Sequence, residues 1–103
     1  MDNRMDMRLP ICLPVRLSVP RLSIEGQTVD LSFGGTYVRL SSDPSTGLSL
    51  YQSIELRFEP ATAAIHVPAI VARQDERGLG LMFGNYAATA DEYLADHISR
   101  FFA

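Results

Sequence analysis

Apolar and polar residues alternate in steps of two over most of the chain, from Pro10 to Gly84, the periodicity of strands with one face buried. Ile11, Leu13, Val15, Leu17 and Val19 fall on one side of a first strand, and Cys12, Pro14, Arg16 and Ser18 on the other. Pro14 has no amide to give to a ladder, so its side is expected at a sheet edge or a barrel gap. A second strand is expected from about Leu22 to Leu31, bent near Gly26, and a third from Thr36 to Leu40. "SSDPSTG", Ser41 to Gly47, reads as a loop from its Pro, Gly and small polar residues. Beyond it Leu48, Leu50, Ile54, Leu56 and Phe58 alternate with Ser49, Tyr51, Ser53, Glu55, Arg57 and Glu59 as the clearest strand of the chain, ended by Pro60. Ile65, Val67, Ala69 and Val71 begin another that continues to a turn at Asp75 to Gly78. "LGLMF" is a last short strand with Leu79, Leu81 and Phe83 inward.

The period changes once. Thr89 followed by Glu92 has the spacing of a capping box, and Ala90, Leu94, Ile98, Phe101 and Phe102 form an apolar stripe at helical spacing. This predicts a helix over 89–102, with Phe101 and Phe102 in the core. The fold class is therefore all-β: a small six-stranded antiparallel β-barrel whose open side is covered by one C-terminal α-helix. Residues 10–103 form this single domain, preceded by a flexible N-terminal arm of residues 1–9, and no internal repeat or linker is visible.

Composition narrows the function. The chain has 103 residues, 47% of them apolar and 20% charged, which is the balance of a folded soluble domain. No apolar run approaches the ~20 residues that span a bilayer, and "MDNRMDMR" lacks the apolar core of a secretory signal. A cytoplasmic location without membrane insertion is expected, and the lone Cys12, with no partner for a disulfide, fits a reducing compartment. The net charge of −3 argues against DNA or RNA as partner, although every basic side chain is Arg. A small anion held by a few arginines remains compatible with it.

Two stretches carry candidate chemistry. "TVDLSFGG", Thr28 to Gly35, sets an acid, a hydroxyl and two glycines between two strands. A tight turn accounts for each of them, because Asp and Ser side chains cap nearby amides and Gly accepts positive φ. "RMDMR", Arg4 to Arg8, precedes the first strand and by itself reads as a solvated tail. Taken together, R-x-x-x-R followed at the end of the second strand by D-x-S-x-x-G, the chain resembles the PilZ domain family. The likeness extends to "LPVRLS", Leu13 to Ser18, and to "GLGLMF", Gly78 to Phe83.

The resemblance implies a β-barrel with a C-terminal helix and, as in many members of that family, a receptor for the bacterial second messenger cyclic di-GMP. It implies ligand-binding roles for Arg4, Arg8, Asp30, Ser32, Gly34 and Gly35, with no catalytic residue, metal or cofactor. The chemistry is apt. A guanidinium forks onto phosphate or onto guanine O6 and N7, so Arg4 and Arg8 suit both. A carboxylate accepts from guanine N1 and N2, which Asp30 would read while Ser32 donates to a phosphate or orients its neighbours. Their spacing of two is expected to set Asp30 and Ser32 on one strand face, and Gly35 to let the main chain come close. Many members carry another Arg just before the first motif, where this chain has Asn3; one bound ligand rather than a stacked pair is therefore preferred. Asp2 and Asp6 weaken the local positive field.

The remaining polar residues read as structure. His66 and His97 lack metal-ligand spacing to each other or to Cys12, and Arg16, Arg39 and Arg57 alternate outward into solvent. No nucleophile is paired with a base, so an enzyme is not expected, and a small-ligand hydrolase has no catalytic set. The leading expectation is a receptor whose arm closes on cyclic di-GMP and signals to a downstream effector protein. The alternative is a PilZ-like interaction module that binds no nucleotide, against which the intact Arg4, Arg8, Asp30, Ser32 and Gly35 argue.

Overall fold

The computed structural model describes residues 7–41, 47–59 and 64–102. Six strands, β1 (Pro14–Val19), β2 (Leu22–Leu31), β3 (Gly35–Leu40), β4 (Ser53–Phe58), β5 (Ile65–Gln74) and β6 (Gly78–Phe83), are followed by one helix, α1 (Ala88–Phe101). The strands close into a barrel in the order β1-β2-β3-β6-β5-β4, with every neighbouring pair antiparallel. Closure leaves no free sheet edge, which settles how so short a chain shields its strands. The core is the inward half of the alternation: Val15, Leu17, Ile24, Val38, Leu56, Phe58, Val67, Val71, Leu79 and Leu81 are all buried. Ala90 and Leu94 of α1 join them, and Tyr93 packs its ring on Phe58 at 5.3 Å.

Several local expectations are corrected. Pro14 opens β1 rather than standing within it, and Ile11 to Leu13 run ahead as extended chain. The buried Thr28 straps that segment down: its hydroxyl accepts from the Leu13 amide at 2.7 Å and donates to the Ile11 carbonyl at 2.6 Å. The strand read from Leu48 starts only at Ser53, because Tyr51 adopts a positive φ of 65° in a turn where Leu50 is exposed. The capping box at Thr89 and Glu92 is not formed. The helix begins at Ala88 with Ala87 as N-cap and no side-chain cap bond. Phe101 and Phe102 are 46% and 63% exposed, stacked edge-on against each other outside the core, and the buried residues of the helix are Ala90 and Leu94. Arg16 and Arg57 do face outward, but both reach Glu59, and Arg16 also holds Glu25 at 2.6 Å. The loop residues 42–46 and Pro60 lie outside the described residues.

Two β-bulges position the polar residues. In β2 the register with β3 shifts between Thr28 and Asp30, and in β5 the register with β6 shifts between Val71 and Arg73. An extra residue reverses the phase of everything after it. Ile24, Gly26 and Thr28 are buried, so unbroken alternation would bury Asp30 as well; past the bulge Leu31 is buried instead and Asp30 is half-exposed. Likewise Val67, Ala69 and Val71 are buried, and the second bulge leaves Arg73 exposed. The irregularity in β2 is therefore at Val29, three residues past Gly26.

Candidate functional site

The turn between β2 and β3 is built by Ser32. Its buried hydroxyl accepts from the amides of Gly34 (3.2 Å) and Gly35 (3.0 Å) and donates to the Gly35 carbonyl (3.1 Å). Of the two roles expected for it, the structure displays the orienting one. Asp30 and Ser32 do not share a strand face, because β2 ends at Leu31 and Ser32 folds inward. Neither glycine of the turn needs a positive φ. Gly35 is required by close approach: a Cβ there would sit 2.4 Å from the Leu81 carbonyl oxygen of β6.

The incoming chain is joined to this turn. Leu9 is buried and exchanges two main-chain bonds with Leu31, at 3.0 and 2.9 Å, as an isolated antiparallel bridge. One residue earlier, the Arg8 guanidinium donates to Asp30 Oδ1 at 2.9 Å. The same oxygen accepts the Tyr37 amide at 3.0 Å, taking the place of a main-chain acceptor where the bulge interrupts the ladder. Among the described residues both of these bonds fall on Asp30 Oδ1 and none on Oδ2, so the first oxygen is structural. Arg4, with Asn3, Asp2 and Asp6, lies outside the described residues.

Arg8, Ser32, Gly34 and Gly35 line one open concavity of about 570 Å³, together with Ala72, Arg73, Gly80, Leu81, Met82 and Phe83. Asp30 is not itself in this lining but is tied to Arg8, which is. The sequence reading assigned none of these six residues of β5 and β6 to the site. Arg73 sits at a position whose phase belongs to the core, and an arginine in such a row is itself the sign of a bulge. Gly80 and Met82 belong by alternation to the outward half of β6, where Met82 is exposed and Gly80 is covered by the Arg73 side chain. A second concavity of about 520 Å³ lies over β1, β2 and β3, but its Arg16 is already neutralised by Glu25 and Glu59.

Around Arg73 the side chains are braced. Its guanidinium lies over the Tyr37 ring, 5.5 Å from the centroid, and the Tyr37 hydroxyl donates to Asp75 Oδ1 at 2.7 Å. Burial and the Asp75 hydrogen bond raise the Tyr37 phenol above its ordinary value. The Tyr37 hydroxyl and then the Arg77 amide lower the Asp75 carboxyl. The carboxylate also caps the β5–β6 turn, accepting from the Arg77 amide at 2.8 Å and the Gly78 amide at 3.0 Å.

The fold is thus a closed antiparallel barrel with one terminal helix, carrying a concavity where the incoming chain meets the β2–β3 turn. Residues 2–100 match the family model described as PilZ domain, and the chain belongs to that family. Among solved structures, the PilZ domain of CeSA from a cellulose-synthesizing bacterium superposes with a TM-score of 0.72 at 20% identity, over 90% of this chain and 96% of that one. The Bacillus subtilis inhibitor of motility (MotI/DgrA) gives a TM-score of 0.74 at 23% identity, over 92% of this chain and 49% of that one. No curated protein matches the chain in sequence.

Proposed function

We propose that this domain is a cyclic di-GMP receptor that acts by binding and not by catalysis. The observation that carries the reading is the meeting of its two motifs: Arg8 and Asp30, 22 positions apart, are in hydrogen-bond contact at the edge of a concavity lined by Ser32, Gly34 and Gly35. Arg8 supplies a fork for phosphate or for a guanine edge, and Asp30 Oδ2 accepts from guanine N1 and N2. The Ser32 turn keeps this edge rigid. Arg4 adds a second guanidinium from the arm, and with Asn3 ahead of it a single ligand molecule is held. Leu9 is pinned to Leu31, so the response to ligand is confined to the residues before it. Rearrangement there changes the surface offered to a downstream effector protein.

Four charge-assisted contacts at roughly 1.5–3 kcal/mol each give about 6–12 kcal/mol before ordering costs. A dissociation constant near micromolar, about −8 kcal/mol, follows. Isothermal calorimetry checks it: saturable heat with cyclic di-GMP, and none with GTP or cyclic di-AMP. Absence of heat with cyclic di-GMP at about 100 µM, well above that constant, would remove the reading.

A further inference from the structure

One row of paired residues crosses four strands of the barrel. Asp30 of β2 is opposite Tyr37 of β3, Tyr37 is opposite Gly80 of β6, and Gly80 is opposite Arg73 of β5. Each bulge delivers one end of the row, an acid at one end and a guanidinium at the other, with strands about 4.8 Å apart between them. Gly80 in the middle is not demanded by chain packing. A Cβ at Gly35 or Gly78 would strike main-chain oxygens at 2.4 and 2.0 Å, whereas at Gly80 the nearest atom is the Arg73 Cβ at 3.2 Å. Glycine inside a strand weakens it and commonly marks a place where another molecule approaches closely. Here Gly80 is buried beneath the Arg73 side chain, whose Cβ and Nε lie 3.2 and 3.6 Å from where a Cβ would stand, and both residues line the concavity.

We infer that Arg73, seated over Gly80, forms a second base subsite, which selects guanine for the half of a cyclic dinucleotide that Asp30 does not read. This rests on the receptor reading above. A guanidinium only donates; guanine offers it two acceptors, O6 and N7, whereas adenine offers N7 beside an N6 donor that opposes it. Tyr37 and Asp75 are positioning residues. The ring supports one face of the Arg73 guanidinium, and the hydroxyl, anchored on Asp75, fixes the ring.

The test compares cyclic di-GMP with the mixed cyclic GMP–AMP dinucleotide by calorimetry. Asp30 takes the guanine of the mixed ligand and Arg73 meets its adenine. Wild-type protein is expected to favour cyclic di-GMP by about tenfold or more. Arg73→Ala should bring cyclic di-GMP down toward the mixed ligand and erase the preference, and Tyr37→Phe should reduce it in part. Gly80→Val, which removes no polar group but takes the space the Arg73 side chain crosses, should lower the preference in the same direction as Arg73→Ala, with melting curves confirming folded protein. If Arg73→Ala weakens both equally, its charge acts only at long range and the inference is overturned. If the preference survives in Arg73→Ala while Arg8→Ala abolishes binding, the second subsite is wrong and the receptor reading stands. If wild-type protein takes up neither ligand, both fall.

Discussion

The Arg8 guanidinium lies 2.9 Å from Asp30 Oδ1, and that same oxygen holds the Tyr37 amide at 3.0 Å. One carboxylate thus ties the chain ahead of the barrel to the bulge inside it. The ion pair is partly solvated, with side-chain exposures of 46% and 28%, so by itself it contributes at most about 1 kcal/mol. A ligand that recruits Arg8 displaces little. Removing the carboxylate is different, because it also strands a main-chain amide.

Arg8→Ala and Asp30→Asn are therefore expected to abolish cyclic di-GMP binding while lowering the melting temperature of the free protein only slightly. Asp30→Asn keeps an acceptor for the Tyr37 amide. Asp30→Ala loses that acceptor and should cost about 1–3 kcal/mol, which at about 4–8 °C per kcal/mol is easily seen in a melting curve. Parallel loss of binding and stability in Arg8→Ala would indicate that its role is structural.

Ser32 and Gly35 should behave as parts of the fold. Ser32→Ala leaves the Gly34 and Gly35 amides without their acceptor, and a destabilisation of about 1–3 kcal/mol is expected in chemical denaturation. Gly35→Ala must push β3 away from the Leu81 carbonyl and should be worse than Gly80→Ala, where only the Arg73 side chain has to yield. Equal stability of the two alanine variants would contradict the close approach of β3 and β6.

The missing helix cap can be supplied. Ala87 is extended, with φ −70° and ψ 164°, as an N-cap residue should be, but has no oxygen to offer the first-turn amides. Ala87→Ser or Ala87→Asp should stabilise the protein by about 0.5–2 kcal/mol in thermal melts without changing ligand affinity.

The Tyr37–Asp75 hydrogen bond has a pH window. Asp75 is depressed below its ordinary 3.8, so its contribution is full above that value and is lost as pH falls through the lowered value. Tyr37 is raised above its ordinary 10.0, so its contribution is full below 10.0 and is lost as pH rises through the raised value. The difference in melting temperature between wild type and Tyr37→Phe should be constant from about pH 5 to pH 9 and shrink at both extremes. A difference that varies across neutral pH would place its origin elsewhere.

The alternation of Val15 with Leu17, of Ile54 with Leu56 and Phe58, and of Val67 with Ala69 and Val71 already specified six strands with one buried face, and Ala90 with Leu94 specified the helix. Local side-chain period decides these, so the chain alone determined the barrel and its order of elements. It also determined the paired motifs that single out Arg8 and Asp30. The phase of a strand beyond a bulge depends on its partner's register, which no short stretch encodes. Hence only the folded barrel decided that Asp30 and Arg73 face outward on one row, that Ser32 turns inward to hold Gly34 and Gly35, and that Gly80 gives the Arg73 side chain its seat between β3 and β5. The same holds for Phe101 and Phe102: helical spacing aligned them with Ala90 and Leu94, but which part of that stripe meets the barrel is a matter of tertiary packing, and it left these two in solvent.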